Sequence, residues 1–139
     1  MWRKLSSLTW LMDDRIRGKR IMVVDDEHDL TLFYQMCLEY YGFEVETYND
    51  PKEALSNFKP DYYDLIILDI KMPNMDGFEL YKEIKEKDPT ARACFLTASG
   101  LYYKEFRTRE YNALDKELFI RKPIGNEELI KEIKHLIRN

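Results

Sequence analysis

The sequence predicts a doubly wound α/β fold, a parallel sheet with helices packed on both faces. Strand-like and helix-like segments alternate five times along the chain, the pattern of successive βαβ crossovers. The glycines and prolines of the body fall at the boundaries of these segments, where chain reversals need them. Residues 64–69 form the most apolar run, read as a central strand buried on both faces.

The elements follow in order. Residues 20–24 are a short apolar run ending in Asp25 and Asp26, a buried strand. From 29 to 41, Leu30, Phe33, Cys37 and Tyr41 recur at i, i+3, i+7 and i+11, a helical stripe that Gly42 stops. Residues 43–48 alternate as a second strand. Asn49, Asp50 and Pro51 start a helix, with a capping side chain ahead of proline at the first helical position. That helix runs past Ala54, Leu55 and Phe58 to Pro60. After the strand at 64–69, a loop at 72–75 leads to a third helix at 76–87, which carries Phe78, Leu80, Tyr81 and Ile84 and ends at Pro89. Residues 91–97 read as the fourth strand, roughly 100–114 as the fourth helix, 118–121 as the fifth strand and 126–138 as the fifth helix.

A length of 139 residues, 45% hydrophobic and 35% charged, suits one globular domain with a proper core. Twenty-six acids against 22 bases give a net charge of −4, so no positive excess exists to neutralise nucleic-acid phosphates. The longest apolar runs, 21–24 and 65–68, are too short to span a membrane. The first residues lack a signal-peptide pattern, and a cytoplasmic location is expected. Cys37 and Cys94 show no CxxC spacing, which argues against a disulfide framework or a zinc site. Both are expected to be buried small apolar groups, and His28 and His135 to be solvated.

Charge is uneven. Residues 1–20 carry a balance of +4 and the remainder −8. Residues 1–18 therefore read as a basic amphipathic extension to a body at 19–139. Trp2, Leu5, Leu8, Met12 and Ile16 fall at i, i+3, i+6, i+10 and i+14, a helix expected to lie across the domain or to pair with a second copy as a homodimer.

In an open parallel sheet, ligands sit outside the carboxyl ends of the strands. The residues that end the strands are Asp25, Asp26, Asp69, Thr97 and Lys122, and all five should crowd one rim. Carboxylates side by side repel one another, and a hard divalent cation relieves this. Oxygen ligands select Mg²⁺ or Mn²⁺ over zinc or copper. A metal, an ammonium and a hydroxyl around a carboxylate nucleophile are the equipment for phosphoryl transfer through an aspartyl phosphate.

The Asp25 and Asp26 pair, Asp69 followed by Met72, Pro73, Asn74, Met75, Asp76 and Gly77, Thr97 with Ala98, and Lys122 with Pro123 together resemble the receiver domain of two-component response regulators. The resemblance covers about 19–139. It implies a flavodoxin-like (βα)5 sheet of order 2-1-3-4-5. It implies that Asp69 is the phosphoacceptor for a histidine kinase or a histidine phosphotransfer protein. Asp26 is then the direct Mg²⁺ ligand, Asp25 the ligand acting through water, and Asp69 and the backbone carbonyl of Lys71 further ligands. Thr97 is the switch hydroxyl, Phe119 the switch aromatic, and Lys122 the family's lysine, joined to Pro123 by a cis bond. A downstream protein is expected to read the surface of the fourth helix, fifth strand and fifth helix.

The sequence departs from the family in three ways. Phe119 replaces a tyrosine, so switching would rest on packing alone. Residues 110–117 lack the Gly-Ala that usually precedes the fifth strand. The fifth helix leads straight to Asn139, so a stand-alone signalling receiver is expected and not an enzyme, apart from Mg²⁺-dependent self-phosphorylation and autodephosphorylation. The alternatives are a phosphorelay shuttle or a receiver fragment of a larger regulator or hybrid kinase. A haloacid-dehalogenase-type phosphatase needs an Asp two residues after the nucleophile, where this chain has Lys71. Neither GxxxxGK[ST] nor GxGxxG occurs.

Overall fold

The computed structural model describes residues 15–97, 119–122 and 124–138, without the side chains of Thr97 and Arg138. Strands β1 (Arg20–Val24), β2 (Glu44–Tyr48) and β3 (Leu65–Asp69) are followed by helices α1 (His28–Tyr40), α2 (Pro51–Asn57) and α3 (Gly77–Lys87). Strands β4 (Ala93–Thr97) and β5 (Phe119–Arg121) come next, and helix α4 (Asn126–Arg138) is the helix expected as the fifth from sequence. The five strands form one parallel sheet in the order β2-β1-β3-β4-β5. The helix expected over 100–114, the junction at 110–117 and most of the extension lie outside the described residues.

Side chains of a strand alternate between faces, and this splits the core in two. Ile21, Val23, Leu65 and Ile67 point to the face covered by α1 and α4, where they meet Leu38, Leu129 and Ile133. Met22, Val24, Ile66 and Leu68 point to the face covered by α2 and α3, where they meet Ala54, Phe78 and Ile84. All five residues of β3 are buried, as its unbroken apolar run requires. Among the described residues no helix is long and apolar enough to cross a membrane.

Local chemistry sets the element ends. The Asp50 side chain accepts a hydrogen bond from the Lys52 amide at 3.0 Å, capping α2 ahead of Pro51. Helix α2 stops at Asn57, earlier than expected, and the backbone is already extended at Phe58. The pyrrolidine ring of Pro60 disfavours helical backbone at Lys59, and the early stop lets Phe58 turn into the core. Asp76 and Glu79 form a reciprocal capping box at the start of α3.

Helix α1 departs from the predicted stripe. Its buried residues are Thr31, Tyr34, Cys37 and Leu38, whereas Phe33 is exposed and Leu30 only partly covered. Apolar residues occur on both sides of this helix, so spacing alone selects the wrong partner for Cys37 and Tyr41. Cys37 and Cys94 are buried free thiols, as expected.

Gly77 is demanded by close packing. A Cβ at this position would overlap the carbonyl oxygen of Asp69 and stand 3.0 Å from the Ile70 Cα, and both obstacles are backbone. The Gly77 amide donates to the Ile70 carbonyl at 2.8 Å, fixing α3 against the end of β3. Gly77→Ala is expected to cost about 2–3 kcal/mol, since overpacking against rigid backbone cannot relax through side-chain rotation. Chemical denaturation checks this, and a cost below about 0.5 kcal/mol would show that the β3–α3 junction yields.

Candidate phosphoacceptor and metal site

At the carboxyl ends of β1 and β3 the sheet brings Asp25, Asp26 and Asp69 together, with carboxylate oxygens all within 4.8 Å of one another. Asp25 and Asp69 are buried, while Asp26 is exposed. Lys122, just after β5, reaches across. Its ammonium donates to Asp25 Oδ2 at 2.8 Å and to Asp69 Oδ1 at 3.1 Å, with Glu27 at 4.0 Å. Four of the five predicted rim residues thus meet. Thr97 ends β4, opposite Arg121 in register, and its hydroxyl lies outside the described structure. Pro123, and with it the expected cis bond, also lies outside it. Lys71 is exposed, two residues beyond Asp69.

The electrostatics follow from this packing. Burial pushes the Asp69 carboxyl up to about 7, the neighbouring charge of Asp25 acts in the same direction, and Lys122 pulls the other way. Burial opposes the charge on Lys122, yet hydrogen bonding to Asp25 and the charge of Asp69 outweigh it and hold the ammonium above its ordinary value. One cation therefore serves two buried carboxylates, and negative charge remains in excess. Three hard oxygen donors around uncompensated charge fit Mg²⁺ or Mn²⁺.

Several residues that frame the site were not assigned to it from sequence. The Glu27 amide donates to Asp25 Oδ1 at 2.9 Å, so both oxygens of Asp25 are held. Asn49 Nδ2 donates to the Asp25 carbonyl at 2.8 Å and to Thr31 Oγ1 at 2.9 Å. His28 is exposed, as expected, but its Nδ1 lies 2.8 Å from Asn49 Oδ1. That oxygen can only accept, so Nδ1 carries the proton. Parallel register explains these contacts. Val24 pairs with Tyr48, so the residues that follow, Asp25 and Asn49, emerge side by side.

Phe119 on β5 is partly buried, its ring stacked on Phe95 at 5.3 Å between centroids and 26° between planes. Beside it, Phe119, Arg121, Ile124, Lys131 and His135 line an open groove between β5 and α4.

Residues 21–134 match the family described as the response regulator receiver domain. Among curated proteins, the transcriptional regulatory protein TrcR of Mycobacterium tuberculosis is 34% identical over 119 residues, 86% of this chain and 45% of TrcR. The response regulator ArlR of Staphylococcus aureus is 32% identical over 86% of this chain and 52% of ArlR. The chain thus spans about half the length of the curated relatives it matches. Among solved structures, the non-phosphorylated HemR receiver domain of Leptospira biflexa superposes with a TM-score of 0.76 at 29% identity, over 88% of this chain and 96% of that one. The response regulator TrrA of Thermotoga maritima, in complex with Mg(2+)-BeF, gives 0.69 at 34% identity over 85% of this chain and 98% of that one. TrrA in complex with histidine kinase ThkA gives 0.68 at 36% identity over 85% and 97%.

Proposed function

The chain belongs to the response regulator receiver domain family of two-component systems, and on that premise we propose that Asp69 accepts a phosphoryl group from the phosphohistidine of a histidine kinase. The observation that carries this reading is the Lys122 ammonium bridging Asp25 and Asp69, with the Asp26 carboxylate in the same cluster. An oxygen of Asp69 attacks phosphorus, the phosphorus–nitrogen bond breaks, and the electron pair leaves with the imidazole. Such a transfer needs positioning and charge neutralisation more than acid–base chemistry. Lys122 lies where it can neutralise a phosphoryl oxygen while Asp25 keeps it in place. Asp26, Asp69, Asp25 acting through water and the backbone carbonyl of Lys71 would hold Mg²⁺ or Mn²⁺, which would supply further charge neutralisation at the phosphoryl group. The TrrA structures with Mg(2+)-BeF and with a histidine kinase support the metal and the partner by likeness. Phosphoramidate carries the same phosphorus–nitrogen bond. Incubation with it and Mg²⁺ should add one phosphoryl group by intact-protein mass spectrometry, mapped to Asp69. Labelling of another residue overturns the assignment.

In this reading Asp26→Ala is expected to weaken Mg²⁺ binding at least tenfold, about 1.4 kcal/mol, with the fold intact because Asp26 is exposed. Calorimetry checks it, and unchanged affinity reassigns the metal ligands.

The signal leaves through Thr97 and Phe119. Phosphorylation draws the Thr97 hydroxyl towards the phosphoryl group and opens space for the Phe119 ring, which then leaves its stack on Phe95. Phe119 has no phenol to hydrogen-bond, so this switch rests on packing, and a downstream protein reads the change beside β5 and α4. Beryllofluoride with Mg²⁺ is expected to shift the Phe119 ring resonances in NMR. Identical Phe119 rotamers in the free and beryllofluoride states would exclude this route.

A further inference from the structure

Helix α1 begins without a side-chain cap. Glu27 precedes it in extended backbone, and its side chain makes no capping bond. Glutamate is not among the residues that cap well. The turn that carries Asp25 and Asp26 into the helix is held instead from the end of β2. The Asp25 amide donates to the Tyr48 carbonyl at 3.1 Å, and the Asp25 carbonyl accepts from Asn49 Nδ2 at 2.8 Å. The same Nδ2 donates to Thr31 Oγ1 at 2.9 Å, and that hydroxyl donates to the His28 carbonyl at 3.0 Å. Asn49 Oδ1 accepts from His28 Nδ1 at 2.8 Å.

We propose that Asn49 is a positioning residue for the metal site, acting through the peptide that joins Asp25 to Asp26. The inference rests on the reading of Asp26 as a metal ligand. The Asp25 carbonyl and the Asp26 amide belong to one planar unit. Pinning that carbonyl therefore fixes the plane from which the Asp26 side chain departs. Asp25 has further anchors in the Glu27 amide and the Lys122 ammonium. Asp26 is exposed, so its backbone, more than packing, sets where its carboxylate lies. Mg²⁺ demands near-octahedral geometry, and a ligand that must first be ordered binds it less tightly. The side chain at 49 is also chemically constrained. A carbonyl only accepts, so the group facing it must donate. Both N–H bonds of Nδ2 are in use, on oxygens from two different elements, while Oδ1 takes a third bond. A side chain with a single donor cannot make this set.

The test compares Asn49→Leu with Asp50→Ala. Leucine keeps roughly the size of asparagine and removes both donors. Asp50→Ala removes the cap of α2 one residue away and leaves the Asp25 carbonyl bonded. Both variants should melt lower than wild type. Only Asn49→Leu should weaken Mg²⁺ binding in calorimetry, by about tenfold, the lower end of the range for residues that orient metal ligands. Its labelling by phosphoramidate should fall at limiting Mg²⁺ and recover at saturating Mg²⁺. In the metal-free protein its Asp26 amide resonance should move, and that of Asp50→Ala should not. Asn49→Ala gives the same readings if the leucine variant does not fold. Wild-type Mg²⁺ affinity in a folded Asn49 variant overturns the positioning role and leaves Asp69 as the phosphoacceptor. Equal losses in the Asn49 and Asp50 variants overturn it too, since a loosened fold then explains both. A wild-type chain that binds Mg²⁺ yet takes no label at Asp69 overturns the phosphoacceptor reading alone, and one that binds no Mg²⁺ overturns the positioning role.

Discussion

Asp69→Asn is expected to abolish labelling by phosphoramidate or acetyl phosphate completely, and at the same time to stabilise the metal-free protein. The amide is nearly isosteric, cannot serve as the nucleophile and carries no charge beside Asp25. The sign of the pH dependence follows from the position of the Asp69 pKa. In the folded state burial, and then Asp25, push that carboxyl up to about 7, whereas an unfolded aspartate titrates near 3.9. Above pH 7 the fold therefore holds an ionised carboxylate at a cost. As pH falls through 7 towards 4, the folded state takes up a proton that the unfolded chain does not, and stability rises. Moving a pKa by one pH unit is worth about 1.4 kcal/mol, so the gain is of order a few kcal/mol. Metal-free wild type should be more stable at pH 5.5 than at pH 8, and Asp69→Asn should flatten this slope. At pH 8 the variant should melt roughly 6–12 °C higher than wild type. Thermal melts in chelator at the two pH values decide the matter. A variant that melts lower at pH 8, or keeps the wild-type slope, means the excess negative charge does not sit on Asp69.

The rim residues were legible in the sequence for a physical reason. In a parallel sheet every strand enters from one side, so residues just past the apolar runs converge, and Asp25, Asp26, Asp69 and Lys122 do so. Local spacing does not carry the contacts made across register. By spacing Asn49 belongs to the start of α2, yet Asp50 does the capping and Asn49 holds the end of β1. Reading β1 and β2 as parallel neighbours would have put Asn49 beside Asp25. Gly77 sits within a motif, but its necessity comes from how closely α3 approaches the Asp69 carbonyl, which no spacing encodes. Helix α1 shows the opposite limit. With apolar residues on two sides, the period of 3.6 admits two stripes, and the sheet beneath decides that Tyr34 faces inward and Phe33 outward.

Lys122→Met is expected to be the most destabilising single change at the rim, and its cost should depend on pH. The ammonium is the shared partner of two buried carboxylates. Removing one member of a buried ion pair leaves uncompensated charge and costs about 3–5 kcal/mol. Here the fold has an escape, because Asp69 already titrates near neutrality. Without the lysine's opposing pull its pKa rises further, and at pH 5.5 the carboxyl takes a proton and sheds much of the penalty. At pH 8 less of that escape is open. The cost of Lys122→Met should therefore be larger at pH 8 than at pH 5.5. It should also shrink in the Asp69→Asn background, where Lys122 has only Asp25 to neutralise. The double-mutant cycle measures this coupling, expected at about 1–2 kcal/mol at pH 8, since the residues are in direct contact. Phosphoryl labelling should fall by about a hundredfold or more, the scale set by losing one preorganised charge at a transferring group. Equal costs at both pH values, with no coupling to Asp69, would mean that Lys122 merely packs at the rim.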